Sequence, residues 1–167
     1  MLESRWLAFA CTALLVSVTV GAGAAQEHEG HAISQSPAES EFVPVPGIPP
    51  CSTAAVQSGD PATGASILLA KAETGCIIPW HWHSPFEHLL MVSGTARVDT
   101  RSGEPITLRA GGYAQLPPKH VHRFSCTETC LFFVHSDAAF DIHYVDETGA
   151  EITPEQALKA GGAETSR

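Results

Sequence analysis

The sequence nowhere gathers its positive charge. Its 9 lysines and arginines are scattered among 18 acidic residues, and the net charge is −9 with histidine neutral. A chain without a basic cluster lacks the electrostatic footprint that a phosphate backbone requires, so nucleic acid is excluded as a partner. An anionic membrane surface is excluded for the same reason. Also missing is an apolar run long enough to cross a bilayer: the apolar run Trp6 to Val20 has 15 residues, against the roughly 20 a spanning helix needs. Internal repeats and low-complexity tracts are absent. So is sustained helical periodicity, which rules out a helical bundle, and helices between strands, which rules out a parallel sheet.

What is present begins with a leader-like N-terminus. Arg5, the apolar run and the small residues Gly21 to Ala25 have the layout of a secretory signal, cut after Ala24 or Ala25. Glu3 weakens the basic end, which leaves an uncleaved anchor as the alternative. The reading is therefore a signal peptide over 1–25, a periplasmic or secreted protein, and no membrane span after cleavage. The leader carries one basic and one acidic residue, so the mature chain keeps its charge.

Residues 26–50 read as a polar tail followed by a Pro-rich linker or edge segment. His28 and His31 in that tail are read as part of a solvated leader; the alternative is a metal-scavenging arm. From residue 51 to about 150, short apolar or β-branched runs alternate with turn signals such as Ser93-Gly94, Gly111-Gly112 and Pro117-Pro118. Many short strands of this kind predict an antiparallel sandwich or barrel. Over 151–167 the run Thr153-Pro154-Glu155-Gln156 predicts a helix, with Thr153 and Gln156 forming a capping box, and Gly161-Gly162 stopping it.

Once Cys11 leaves with the leader, Cys51, Cys76, Cys126 and Cys130 remain. Four cysteines in an oxidising compartment allow three pairings. The three residues between Cys126 and Cys130 suit a hairpin loop that would pair them, leaving Cys51 with Cys76; buried free thiols are the alternative.

The chemistry is concentrated in Gly75-Cys-Ile-Ile-Pro-Trp-His-Trp-His-Ser-Pro-Phe-Glu. In a strand, residues two apart face the same side, so His81 and His83 project together. After the turn at Ser84-Pro85, Glu87 returns toward them from the next strand. Two imidazoles and a carboxylate that converge make three ligands for a divalent metal. A closed barrel would bring His122 to the same lumen as a fourth. Two positions of an octahedron would then stay open. By strand parity Leu89, Met91 and Phe124 line the pocket, with plain barrel core as the alternative. His120 shares the parity of His122 and is a candidate for the pocket mouth, with a surface loop after Pro117-Pro118 as the favoured alternative. His88, Trp82 and Arg123 point outward. His135 and His143 match no ligand spacing.

Here the sequence resembles the cupin superfamily. The first cupin motif, G(X)5HXH(X)3,4E(X)6G, is filled at every fixed position by Gly75, His81, His83, Glu87 and Gly94. The second, G(X)5PXG(X)2H(X)3N, is filled by Gly111, Pro117 and His122, with Lys119 in place of its glycine and Cys126 in place of its asparagine. The resemblance implies an all-β, cupin-type antiparallel barrel or jelly roll with a short C-terminal helix. It implies one divalent ion (Fe, Mn, Ni, Cu, Co or Zn) on His81, His83, Glu87 and His122, and often a homodimer. It does not imply one reaction. The expectation is a metal-dependent oxidoreductase or lyase acting on a small oxygen-rich molecule, with Glu87 as the catalytic carboxylate. The alternative is a non-enzymatic module that binds a small molecule or a metal.

Overall fold

The computed structural model of the chain describes residues 32–164. The expected leader and His28 and His31 lie outside them. Among the described residues no helix is long and apolar enough to cross a membrane.

Twelve strands form in the order β1 (Val43–Pro44), β2 (Ser52–Gly59), β3 (Ser66–Ala72), β4 (Ile77–Trp82), β5 (Glu87–Ser93), β6 (Thr95–Thr100), β7 (Ile106–Arg109), β8 (Tyr113–Leu116), β9 (His122–Cys126), β10 (Cys130–Ser136), β11 (His143–Val145) and β12 (Glu151–Ile152), before helix α1 (Pro154–Glu164). They build two six-stranded sheets, β1-β2-β3-β10-β5-β8 and β12-β11-β4-β9-β6-β7. All the pairings are antiparallel. The chain changes sheet at most turns, which is the jelly-roll arrangement expected of the cupin type.

Alternation drives the packing. In β9 and β10 every second residue is buried and its neighbours are only partly covered, so each strand presents one apolar face inward. Ala96 and Val98, both at 0% exposure, join Leu108, Leu116, Phe124 and Phe132 in one core between the sheets. Phe124 and Phe132 face each other from opposite sheets with ring centroids 4.8 Å apart. Burying side chains of this size supplies roughly 1.5–3 kcal/mol each, the main favourable term of folding.

Two disulfides close the end of the barrel away from the histidines. Cys126–Cys130 spans the turn that carries the chain from β9 in one sheet to β10 in the other, where the sequence suggested a hairpin, and Cys51–Cys76 ties the start of β2 to the residue before β4. The asparagine position of the second motif is thus used for a covalent staple.

The Pro-rich segment is more than a linker. Val43 and Pro44 pair with Ala54 and Thr53 as an edge strand, where proline's missing N–H is tolerated. Helix α1 begins as its sequence predicts: the backbone N–H of Thr153 donates to Gln156 Oε1 at 2.9 Å, and that of Gln156 donates to Thr153 Oγ1 at 3.3 Å. It ends later than expected, running through Gly161-Gly162 to Glu164. Glycine costs a helix only about 1 kcal/mol, so it weakens a helix without compelling a stop.

The one-residue turn between β5 and β6 rests on Gly94, whose φ is +83° and whose backbone sits against Thr129: a Cβ would lie 2.1 Å from the Thr129 carbonyl oxygen. Gly75 has a similar φ of +79° with nothing within 4 Å. Gly94→Ala is therefore expected to cost roughly 3 kcal/mol or more, and Gly75→Ala only the left-handed penalty of about 1 kcal/mol. Urea denaturation of both variants checks this. Equal losses would show that the Thr129 contact contributes nothing.

Candidate metal centre

β4 and β9 lie side by side in one sheet, with His81 directly opposite His122. His83 follows β4, and Glu87 opens β5 in the other sheet across a turn held from one side. In that turn the N–H of Ser84 donates to Asp141 Oδ1 at 2.7 Å, and the N–H of Phe86 donates to Asp137 Oδ1 at 3.0 Å. The result is that His81, His83, Glu87 and His122, all but one of them under 5% exposed and Glu87 at 7%, converge on the lumen. The ligand atoms of the three histidines all lie within 4.8 Å of one another.

Each ring is oriented by a backbone carbonyl. His81 Nδ1 is 2.6 Å from the carbonyl oxygen of Pro79, and His122 Nδ1 is 2.9 Å from that of His120. His83 Nδ1 meets the carbonyl oxygen of Asp141. A carbonyl oxygen can only accept, so each Nδ1 carries a hydrogen and donates it. In a neutral ring, Nε2 is then a bare lone pair aimed into the cavity.

This arrangement leaves an electrostatic problem. Glu87 Oε2 is 3.2 Å from His122 Nε2, and Glu87 Oε1 is 3.6 Å from His83 Nε2. Buried His83 Nε2 and Glu87 Oε2 have no hydrogen-bond partner: the second contact is too long, and the first is close without the angle of a hydrogen bond. With neutral rings these contacts set lone pair against carboxylate. A proton on one ring would answer one of them, whereas a cation answers all three rings and the carboxylate together. Three imidazoles and one carboxylate make a donor set suited to a first-row divalent ion.

The ionisation of the cluster fits a cation site. Burial, then the neighbouring His122 and His83, hold His81 well below the usual imidazole range, against the opposing pull of the Pro79 carbonyl. For Glu87, burial pushes upward as the largest single effect. Positive charge on the facing His83 first, then hydrogen bonding and charge from His122, with His88, together outweigh it and keep the carboxyl below its usual value, the response of a carboxylate facing cations.

Around this centre lies a cavity of about 50 Å³, enough for a few waters or a small ligand. Of the residues predicted to line it, Leu89 and Phe124 do. Met91 and His120 do not. Met91 faces inward as its parity demands but belongs to the filled core, where its cross-strand partner Phe132 and Leu89 supply the wall. His120 precedes β9 in a turn where Lys119 takes a left-handed φ of 61°. The alternation that holds from His122 onward therefore does not extend back to it. Its contribution is the carbonyl that orients His122. Lys119 thus adopts the conformation for which the motif carries glycine, and its N–H donates to the His83 carbonyl at 2.9 Å.

His88 points away from the lumen, its Nδ1 2.7 Å from the Tyr113 hydroxyl, and Trp82 lies on the outer face stacked on His143 with centroids 3.9 Å apart. Sequence reasoning missed Asp141, whose carbonyl holds His83 and whose carboxylate holds the following turn. Asp141 Oδ2 also sits 3.3 Å from His143 Nε2. No motif spacing marks it. The wall residues Val45 and Ile48 from the Pro-rich segment were missed as well.

Residues 68–135 match the family described as Cupin domain, which supports the cupin superfamily. Comparison with curated proteins found no match. Among solved structures the chain is similar to the polyketide cyclase RemF from Streptomyces resistomycificus, at 15% identity over 70% of this chain and 87% of that one, with a TM-score of 0.60. It is similar to KdgF from Halomonas sp. at 18% identity, over 61% of this chain and 92% of that one, with a TM-score of 0.51. It is also similar to a chain from the structures of the DMSP lyases RdDddP and RnDddQII, at 21% identity over 69% of this chain and 61% of that one, with a TM-score of 0.51. At such identities the likeness carries the fold: a cupin-type jelly roll.

The depressed His81 and Glu87 values set the pH response of the metal-free protein. Below the ordinary imidazole pKa of about 6.5, the unfolded chain binds a proton at His81 that the native state refuses, so stability falls as pH falls. Glu87 adds loss of the same sign as pH drops below the unfolded carboxyl value of about 4.3 toward its own lower one. Stability of the metal-free protein should therefore fall as the pH drops through and below about 6.5, with His81 as the main contributor and the lowered His120 adding loss of the same sign. His81→Gln should flatten that segment. A wild-type slope that the variant retains would show that His81 titrates normally.

Proposed function

We propose that the chain is an exported mononuclear metalloprotein of the cupin superfamily, with His81, His83, Glu87 and His122 as its ligands. It acts as a metal-dependent oxidoreductase or lyase on a small oxygen-bearing molecule. The observation that carries this reading is the set of three ring-to-carbonyl hydrogen bonds, which point three imidazole Nε2 atoms and one carboxylate at a common centre. When bound, a divalent ion would supply Lewis acidity toward a chelating oxygen, or redox chemistry if the metal is iron, manganese or copper. The protein supplies the rest. The backbone carbonyls fix the rings, the barrel excludes bulk water, and Glu87 is the carboxylate placed to hold or accept a proton from the ligand. Two disulfides support an oxidising compartment, and with the leader-like N-terminus they favour export.

One observation favours a second reading, that of a binding module. Among the described residues, Ser52 is the one polar side chain lining the cavity apart from the four ligands, and it is neither a ready acid nor a ready base.

Elemental analysis of protein secreted to the periplasm, beside His81→Ala and Glu87→Gln, tests the proposal. About one metal per chain is expected in the wild type, with loss in His81→Ala and at least a tenfold weaker hold in Glu87→Gln. Intact mass would show loss of residues 1–24 or 1–25. No metal after reconstitution would overturn the site, and a full-length periplasmic chain would overturn cleavage. Metal-loaded protein that binds small oxygen ligands but turns none over, with or without dioxygen, would establish the binding module in place of the enzyme.

A further inference from the structure

Much of the wall that shapes the cavity lies outside residues 68–135. Val45 and Ile48 come from the Pro-rich segment, and Phe140 and Ile142 from the loop between β10 and β11. The two sheets end on this side in β1 and β12, and the segment from Val45 to Pro50 straps the opening between them. Its conformation is fixed at several points. The N–H of Ile48 donates to the Val45 carbonyl at 3.1 Å, and that of Ser52 donates to the Pro49 carbonyl at 2.9 Å. The buried Tyr144 hydroxyl of β11 donates to the Gly47 carbonyl at 2.8 Å. Gly47 has a φ of +79°, and a Cβ on it would meet Ile142 Cγ2 at 3.7 Å. Strap and loop therefore run close together and line the same cavity.

That wall is hydrocarbon. Of the 17 lining residues, 12 carry only aliphatic or phenyl side chains, and the other five are the four candidate ligands and Ser52. Among the described residues no lysine, arginine or second carboxylate lines the cavity. An occupant's polar atoms can thus be satisfied at the metal centre and at one hydroxyl. Three neutral imidazoles and one carboxylate leave a divalent ion with a net charge of about +1, which a monoanion neutralises in a low-dielectric cavity.

We infer that the cavity selects a small monoanionic chelator with a hydrocarbon tail, of the 2-hydroxy- or 2-oxo-carboxylate type, and that the strap residues Val45 and Ile48, with Phe140 and Ile142, reject a hydroxylated tail. This rests on the metal reading above and narrows it: polyhydroxylated acids and sugars, although rich in oxygen, are excluded. A hydroxyl carried against Val45, Ile48, Phe140 or Ile142 loses its water partners and gains none from these four side chains, a penalty that apolar pockets express as about tenfold to a hundredfold discrimination.

The test uses two probes with the same chelating end and the same number of heavy atoms, 2-hydroxybutanoate and glycerate, which differ by methyl against hydroxyl at the tail. Each is titrated calorimetrically into the full chain reconstituted with zinc, whose redox silence prevents oxidative turnover. Zinc content is measured first in the same samples. The expected result is that 2-hydroxybutanoate binds at least tenfold more tightly, and that the ratio shrinks at least threefold in Val45→Thr or Ile48→Thr, each of which places a hydroxyl on the strap. Zinc retained with glycerate bound equally well or better, or with neither probe bound, overturns the inference and leaves the metal site standing. A wild-type preference unchanged in both variants overturns the assignment to the strap. Failure to hold zinc overturns the metal reading, and this inference falls with it.

Discussion

Three hydrogen bonds from imidazole Nδ1 atoms to backbone carbonyls are the constraint on which the rest of the site depends. Pro79, His120 and Asp141 offer oxygens that can only accept, and the tautomer of each neutral ring follows from that. Once it is set, the lone pairs, the carboxylate and the depressed His81 ionisation become consequences of one geometry. The barrel exists around this cluster as a frame. One sheet holds β4 and β9 side by side, and the Ser84–Phe86 turn, held by Asp137 and Asp141, brings Glu87 across from the opposite sheet. Such second partners commonly matter to metal affinity nearly as much as the ligands themselves.

What could be read in the sequence follows local rules. Strand alternation, the turn glycines, the capping box at Thr153 and the pairing of the four cysteines rest on interactions a few residues long, or on elimination among few choices. The His81–Trp82–His83 spacing fixes two rings on one face by strand geometry alone. Asp141 was illegible, because its role is played by a backbone carbonyl that every residue possesses. His120 could not be placed by parity alone, because parity counts need an unbroken strand, and the left-handed Lys119 interrupts this one. The wall residues Val45 and Ile48 were hidden in a run of prolines that reads locally as a connector, and only the tertiary fold shows it closing a cavity.

The same contrast divides the cavity into two parts. The Cupin domain match over 68–135 contains all four candidate ligands, while Val45, Ile48, Phe140 and Ile142 lie outside it. The four ligands thus come from one stretch of chain, which also gives part of the wall, while the strap and the loop complete its shape from outside. Strap and loop are surface connections, which tolerate change better than the strands that hold the rings. A barrel of this kind can keep its centre while its occupant changes, which is why the fold itself names no reaction.

The central claim, that the backbone fixes three rings with Nε2 free for a cation, is most directly tested by nitrogen-15 NMR of the metal-free protein at pH 8, followed by titration with zinc. The account predicts the Nδ1–H tautomer for His81, His83 and His122, and a shift confined to their Nε2 resonances that saturates at one equivalent. An Nε2–H tautomer at any of the three, or zinc shifts spread over other histidines, would contradict it.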